Sequence, residues 1–367
     1  MIYISVLITG LTFSTLRPKS KIFFNSYLLL LLILASFRYG VGPDYFAYEE
    51  LYLLVGNGVF ETVTVELLFK YYGAVLHYLN FSYQQYVALT ALITLYFIGK
   101  TCKKYSQYPV LSLYLYFCFF YLVWVYSGLR QGLTLAIGVY YLLECLENHK
   151  HTKFVLIVFF LSLIHASSLI LLLFYIVGNL NLKREIILLT VLCGFFLSLV
   201  PGTYLMAVLN YFPYGERINF YFRPVLGLIV IDYFDFKSIA RMILLLTVGV
   251  VFSKIYNKSN EIERKIVDIY LISFAVYFAL RFVEILAANA SIYGFVLLVI
   301  VIPNIYARLK NKLNARLFLV GSVIFSLAFF FKNLDSMEDY SNLTHSSLIT
   351  PYTHVFNKSD YTFPSRP

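Results

Sequence analysis

Long apolar runs, separated by short polar segments, recur along the whole chain of 367 residues. The first two runs cover residues 1–16 and 22–37, and comparable runs follow as far as residue 331. A helix needs roughly 20 apolar residues to cross a bilayer core of about 30 Å, and many of the runs approach that length. The pattern predicts an all-α, polytopic integral membrane protein with about 11–13 embedded helical segments and no soluble domain.

The same pattern predicts the domain organisation. Residues 1–331 form a single multi-span membrane domain, and residues 332–367 form a polar C-terminal tail on the outer side. Outer loops are predicted at about 38–62, 127–132, 201–235 and 285–292.

Two segments are ambiguous. Residues 63–80 are only moderately apolar, so they either lie along the interface or dip into the membrane. Residues 154–177 lie between two basic segments, which requires an even number of crossings, yet they are long enough for one ordinary span. The polar stretch "LIHASSLI" (163–170) would allow a short hairpin or re-entrant pair there.

Composition supports the membrane assignment and removes nucleic acid as a partner. Hydrophobic residues make up 60% of the chain and charged residues 13%, whereas soluble domains are about 25% charged. The net charge is +10, but 18 of the 29 Lys and Arg lie in short clusters between apolar runs. This is the positive-inside pattern of cytoplasmic loops. It orients the chain with its basic loops in the cytoplasm and both termini outside.

Metal and disulfide sites are not expected. The four cysteines are scattered singly without a CxxC pair, and the six histidines are dispersed. We therefore predict chemistry that needs neither a metal nor a cofactor.

Five arginines contradict the positive-inside preference on one side of the membrane: Arg38, Arg130, Arg217, Arg223 and Arg281. An ionisable side chain at membrane depth costs about 2.5–3.5 kcal/mol on insertion scales, so it is functional or paired. Snorkelling to headgroups would explain any one of them. A cluster of guanidinium groups at one surface fits a phosphate-bearing lipid, because the planar fork matches phosphate oxygens.

Several stretches carry the candidate chemistry: "FRYGVGPDYFAYEE" (37–50), "SGLRQGLTLAIGVYYL" (127–142), "LIHASSLILLLFYI" (163–176), "YFALRF" (277–282) and "ITPYTHVF" (349–356). In this order they resemble the signatures of the EpsG-like family of Wzy-type bacterial polysaccharide polymerases. The first resembles that family's R-x-G-x-G-x-D-Y-x-x-Y motif. Pro43 departs from it, because the family usually has a small or hydroxyl residue there.

The resemblance implies an enzyme of exopolysaccharide, capsule or O-antigen assembly. Such proteins join lipid-linked repeat units on the outer face of the cytoplasmic membrane, transferring a glycan from undecaprenyl diphosphate to a sugar hydroxyl of another unit. The implied partners are the undecaprenyl-diphosphate-linked donor and acceptor, the bilayer, a flippase and a chain-length regulator.

Arg38 and Arg130 are candidates for the pyrophosphate, where they would offset charge on the leaving group. Gln131 would assist through its amide. The alternative for Arg38 is a salt bridge to Asp44 that shapes the turn. Arg130 begins a helix, where a cation opposes the helix dipole, so another interaction must hold it there.

Asp44 is the best carboxylate to orient or deprotonate the acceptor hydroxyl. Its alternative is an Asx-turn beside Pro43. Gly42 lets the backbone turn and approach a ligand. Tyr45 and Tyr48 could stack on sugar or anchor the interface, and the interface is favoured.

His165 is a candidate catalytic residue, although Ser167 and Ser168 could satisfy it as a structural histidine. Arg281 would bind phosphate or glycan, or else pair with Glu284.

A further pair, Glu66 and Lys70, has i,i+4 spacing and is interpreted as structural. Two other functions stay open: a multispan acyltransferase that modifies the glycan, and a lipid-linked oligosaccharide flippase or transporter.

Overall fold

The computed structural model describes residues 2–180, 182–200, 204, 236–255, 259–344 and 352–357. Within these ranges every regular element is a helix, and the pairing of Arg38 with His354 is an isolated bridge, so the predicted all-α class is confirmed. The α-helices are α1 (Ile2–Leu16), α2 (Lys21–Ser36), α3 (Tyr45–Gly56), α4 (Leu67–Tyr78), α5 (Tyr83–Tyr105), α6 (Pro109–Tyr116), α7 (Leu129–Glu147), α8 (His151–Ser162), α9 (Ile170–Asn179), α10 (Arg184–Leu197), α11 (Phe236–Ile255), α12 (Glu261–Ala279), α13 (Glu284–Phe295), α14 (Leu298–Arg308) and α15 (Lys312–Thr344). A π-helix spans Phe117–Ser127, and a 3-10 turn spans Ala166–Leu169.

Among the described residues, three helical segments are long and apolar enough to cross a membrane: Pro109–Ser127, Ile285–Arg308 and Lys312–Met337. Shorter apolar helices of 10–17 residues accompany them, including α1, α2 and α8. The protein is therefore a helical membrane protein, while the predicted count of embedded segments stays a prediction. The predicted loop 201–235, with Arg217 and Arg223, lies outside the described residues apart from Tyr204.

The chain forms two compact units. The first contains Met1–Tyr141, Thr152–Leu169 and Ile302–Pro367, and the second contains Leu142–His151 and Ile170–Val301. Helices occupy parts of the predicted loops and tail. α3 lies inside 38–62, α7 begins inside 127–132, residues 285–292 lie inside α13, and residues 332–344 continue α15. The placement of these segments on the outer side stays a prediction.

In the first unit, α2 and α5 pack side by side in opposite directions. Lys103, near the end of α5, donates from Nζ to Oδ1 of Asn25 near the start of α2, at 2.8 Å. At the other end, Nε2 of Gln84 donates to the carbonyl oxygen of Arg38, at 2.9 Å. The "FRYGVGPD" segment therefore lies at the end of this helix pair that is remote from its basic residues.

The π-helix carries bulky aromatic side chains into the first unit. Phe117 and Phe119 contact Phe330 and Phe329 of α15, with ring centroids 5.4 Å and 5.2 Å apart. The helix ends against α7 at Gly132, where an added Cβ would lie 1.7 Å from the carbonyl oxygen of Trp124. Only glycine permits this approach, and it fixes the "SGLRQG" turn against the π-helix. π-helical turns occur frequently at functional sites.

The ambiguous segment 154–177 is broken in the middle. α8 has 12 residues and α9 has 10, which correspond to about 18 Å and 15 Å of helix. Each is shorter than a bilayer core of about 30 Å. The break predicted from "LIHASSLI" is confirmed, and His165 lies in it.

In the second unit, α12 is buried along nearly its whole length. It packs against α10, where a Cβ on Gly194 would lie 2.7 Å from the carbonyl oxygen of Ala275. The rings of Phe195 and Phe278 meet edge to face, 5.6 Å apart.

Candidate functional site

The segment 352–357 pairs with the start of the "FRYGVGPD" motif in the first unit. Arg38 and His354 form an antiparallel bridge. The N–H of Tyr39 donates to the carbonyl oxygen of Thr353 at 3.0 Å, and the N–H of Val355 donates to that of Phe37 at 3.1 Å. The first and last of the stretches that resemble the family are therefore one local structure.

Arg38 is completely buried inside that structure. Its Nη1 donates to the carbonyl oxygens of Val41 and Tyr126, both at 2.7 Å, and its guanidinium lies 4.6 Å from the ring centroid of Tyr126. A buried charge needs such partners, because its desolvation is otherwise costly. The salt bridge considered for Arg38 and Asp44 is absent among the described contacts: the Arg38 acceptors are carbonyl oxygens, and they join the motif to the end of the π-helix.

Gly42 is the position where this arrangement requires glycine. Its φ is +107°, and an added Cβ would lie 2.8 Å from Nη1 of Arg38 and 3.1 Å from the carbonyl oxygen of Tyr126. Gly42 was predicted to let the backbone approach a ligand. In the structure, its close neighbour is the Arg38 guanidinium.

Asp44 follows this turn at the start of α3. Its Oδ2 accepts a hydrogen bond from Oγ of Ser127 at the end of the π-helix. Burial raises the pKa of Asp44, while the Ser127 hydroxyl and then Arg130 and Arg38 oppose the rise. A carboxyl group with a raised pKa is suited to accepting a proton, and both arginines lie close enough to act on it.

Tyr45 is almost completely buried, and its hydroxyl donates to Oε1 of Gln84 at 3.0 Å. Because Gln84 in turn donates to the carbonyl oxygen of Arg38, Tyr45 supports the position of the Arg38 backbone. The Tyr45 ring is enclosed by protein, and its predicted role in sugar stacking or interface anchoring stays a prediction.

Glu66, just before α4, receives partners from three sides. Its Oε2 accepts from Nη1 of Arg130 at 2.5 Å, its Oε1 accepts from the N–H of Ala166 at 3.0 Å, and Nδ1 of His165 lies 3.3 Å from Oε1. Burial raises the pKa of Glu66, but His165, the Ala166 N–H and the charge of Arg130 together lower it to about 2. Glu66 is therefore a carboxylate at neutral pH.

His165 and Arg130 are partly accessible, with 17% and 24% of their side-chain surfaces exposed, and Glu66 has 25% exposed. Nε2 of His165 and Nε of Arg130 are buried nitrogen atoms without a hydrogen-bond partner in the described part of the chain. We refer to Glu66, Arg130 and His165 as the Glu66 cluster. It combines an anion-binding group, a carboxylate and an imidazole that can exchange a proton.

Glu66 has a different partner from the one that its spacing predicts. The predicted i,i+4 pair with Lys70 is wrong: Nζ of Lys70 donates to the carbonyl oxygen of Phe60 at 3.0 Å, and Glu66 pairs with Arg130. The available signal was the unexplained cation at the start of α7, which required a nearby anion.

The remaining candidates take other positions. Gln131 is buried beside Arg130, within the first turn of α7. Tyr48, on α3, interacts with Arg130 through its hydroxyl. Arg281 is buried at the end of α12 in the second unit, and the side chain of its expected partner Glu284 is outside the described set. Their predicted ligand roles stay predictions.

Among the described residues, no group of three or more His, Cys, Asp or Glu side chains is arranged to hold a metal ion.

The fold and this cluster define a helical membrane protein with a polar site built at helix ends. The EpsG family model matches residues 21–354 of the 367, and the chain belongs to the EpsG family. The match ends at His354, so it includes the residue that forms the bridge with Arg38. Membership in this family fits a role in polysaccharide biosynthesis. Searches of curated proteins and of solved structures find no match.

Proposed function

We propose that this protein polymerises undecaprenyl-diphosphate-linked oligosaccharide repeat units on the outer face of the bacterial cytoplasmic membrane. The observation that carries the proposal is the Glu66 cluster, assembled from three separate segments of a chain in the EpsG family. Arg130 and His165 lie at the ends of α7 and α8 that are remote from the basic segment 149–153. Under the positive-inside rule, the cluster faces outward.

The reaction is a glycosyl transfer between two lipid-linked glycans. A hydroxyl oxygen of the acceptor sugar bonds to the anomeric carbon of the donor. The bond from that carbon to the diphosphate breaks, and its electron pair leaves on the diphosphate oxygen. The hydroxyl proton goes to Nε2 of His165, since Nδ1 is directed toward Glu66.

Arg130 offsets the charge that develops on the departing diphosphate, as a preorganised cation does in a transition state. Asp44, with a raised pKa and a Ser127 hydrogen bond, orients the acceptor hydroxyl. Arg38 acts at a distance from the substrate, because its guanidinium is enclosed by carbonyl oxygens and fixes the Asp44 turn against the π-helix.

The test is the length of surface glycan in a strain that lacks the native gene, complemented with wild type or with His165→Ala. Under the proposal, wild type restores a ladder of polymer lengths and His165→Ala leaves a single repeat unit, with equal protein in the membrane fraction. A full-length ladder in the strain without the gene would contradict the proposal.

A glycan acyltransferase is the second candidate, because an imidazole beside a carboxylate also suits acyl transfer to a hydroxyl. It predicts full-length chains that lack acyl groups when the gene is removed. A flippase predicts no glycan outside. Arg130 within the cluster favours a phosphate-bearing substrate over an acyl donor.

A further inference from the structure

In the structure, the Glu66 carboxylate takes the place on Arg130 that a diphosphate would need. The contact between Nη1 of Arg130 and Oε2 of Glu66 is 2.5 Å. We infer that Glu66 is a positioning residue that exchanges partners: a lipid diphosphate displaces it from Arg130, and the freed carboxylate then holds His165 as the general base. This inference rests on the proposed function.

The first step is competition for one guanidinium. Arginine binds carboxylate and phosphate oxygens through the same planar set of donors, so Glu66 and a diphosphate compete for Arg130. A diphosphate carries more negative charge than a carboxylate, and its oxygens can accept from two N–H groups of the guanidinium at once. The carboxylate lowers the apparent affinity for the lipid and leaves Arg130 neutralised while no donor is bound.

The second step depends on how Glu66 is anchored. Its other oxygen, Oε1, accepts from the N–H of Ala166 at 3.0 Å, and the N–H of Leu68 donates to the carbonyl oxygen of Leu163 at 2.8 Å. Both bonds tie the start of α4 to the turn that carries His165, and neither involves Arg130. When Arg130 turns to the diphosphate, the carboxylate therefore stays next to His165.

The third step is the effect on the imidazole. While Glu66 is paired with Arg130, the two opposite charges largely cancel at His165. Once Arg130 binds the diphosphate, the carboxylate is free to hold Nδ1 of His165, which lies 3.3 Å from Oε1, and this fixes the imidazole for proton transfer at Nε2. The charged and titratable groups around the pair are Glu66 before α4, Arg130 on α7, and Tyr48 and Asp44 on the α3 side. The imidazole is then held in position when the donor is in place.

The experiment compares Glu66→Gln with wild type in binding and in turnover. Glutamine removes the competing charge but keeps the size of the side chain. With undecaprenyl diphosphate as the probe, purified Glu66→Gln should bind roughly tenfold tighter than wild type. The lipid then no longer has to break the charge-assisted hydrogen bond between Arg130 and Glu66, and the loss of one such bond corresponds to about this factor. Its glycan synthesis should fall at least roughly tenfold, because His165 loses its carboxylate. A residue with a merely structural role would not raise affinity while lowering turnover.

Glu61→Gln is the matched control. It removes an exposed carboxylate from the same segment and should leave binding and polymer length unchanged. Weaker or unchanged binding of undecaprenyl diphosphate to Glu66→Gln, or a full-length ladder from it, overturns the partner exchange. Wild type that binds no undecaprenyl diphosphate and a strain whose ladder survives loss of the gene would instead overturn the proposed function.

A measurement on wild type keeps the inference testable if Glu66→Gln does not fold. The nitrogen-15 spectrum of labelled His165 is recorded in detergent with and without undecaprenyl diphosphate. The Nδ1 signal should show a stronger hydrogen bond to Glu66 when the lipid is present. An unchanged Nδ1 signal would overturn the inference.

Discussion

Ser127 donates a hydrogen bond to Asp44 across 83 residues of sequence. The two side chains connect the turn before α3 to the end of the π-helix, where the carbonyl oxygen of Tyr126 also binds Arg38. Asp44 thus receives its hydrogen bond from the side chain of the residue that follows Tyr126 in the π-helix.

Ser127→Ala should raise the pKa of Asp44 further, because burial already raises it and the lost hydrogen bond had favoured the carboxylate. The acidic limb of the pH profile of glycan synthesis should therefore move to higher pH. The measurement is polymer formation by membrane vesicles with lipid-linked substrates between about pH 5 and 8. Ser322→Ala, which removes a hydroxyl bonded only to its own helix at Phe318, is the control. Coincident acidic limbs for the two variants would contradict the role of Ser127.

Gly42→Ala should destabilise the protein more than Gly58→Ala. Both glycines have positive φ, +107° and +80°, but a Cβ at Gly42 meets Arg38 whereas one at Gly58 meets nothing within 4 Å. The backbone strain alone costs about 1–2 kcal/mol, and crowding of the guanidinium adds to it at Gly42. Thermal unfolding in detergent, compared between the two variants, measures the added cost of crowding Arg38 and the Tyr126 carbonyl at Gly42. Equal melting temperatures would show that these groups move aside without a loss of stability.

Arg130→Lys should make fewer and shorter chains, and Arg130→Ala essentially none. Lysine keeps the charge near Glu66 but loses the planar fork, and one charge-assisted hydrogen bond is worth about 1.5–3 kcal/mol, or roughly ten- to hundredfold in rate. Glycan ladders are read beside an immunoblot of the membrane fraction. Full-length chains from Arg130→Ala would show that Arg130 takes no part in the reaction. Absence of the variant protein from the membrane would show that Arg130 stabilises the fold.

The ionised state of Glu66 should stabilise the folded protein in a defined pH range. Its pKa is lowered from 4.5 to about 2 in the folded state. The stabilisation is therefore fully present above about pH 4.5 and is lost as pH falls toward about 2. Between pH 6 and 3, the melting temperature of Glu66→Gln should decline less than that of wild type, with Glu61→Gln as the reference. Parallel declines in wild type and Glu66→Gln would show that folding does not shift the Glu66 pKa.

Single cysteines test the orientation of the chain in the membrane. Cys193 is exposed and is first changed to serine. Asn57→Cys should react with an impermeant thiol reagent added outside intact cells, because it lies beyond α3 near the proposed outer end. Asn148→Cys and Asn311→Cys should not, since they lie in basic segments; all three positions are exposed. The reverse labelling pattern would invert the topology and place the Glu66 cluster in the cytoplasm.

The helical class was predictable because the backbone N–H and C=O groups of a long apolar run in a bilayer must bond to one another, which a helix achieves within one segment. The break at His165 was predictable for the same reason, since polar residues interrupted one run. The partners of Arg38 were not predictable. Its acceptors are backbone carbonyl oxygens, and because every residue carries one, no residue type in the sequence indicates where these acceptors lie. Glu66 was assigned to Lys70 by helical spacing, while the interaction that formed joins it to Arg130, 64 residues away.

The pairing of residues 352–357 with the Arg38 segment has a consequence for the order of events during synthesis. Tyr39 and Thr353 are 314 residues apart, so the ribosome has delivered the "FRYGVGPD" segment to the membrane long before its partner strand exists. Until then, the backbone groups of Phe37 and Tyr39 lack these acceptors and donors. A nascent chain halted before residue 352 would already hold its helices in the membrane, yet it would still lack the contact that closes the Arg38 segment.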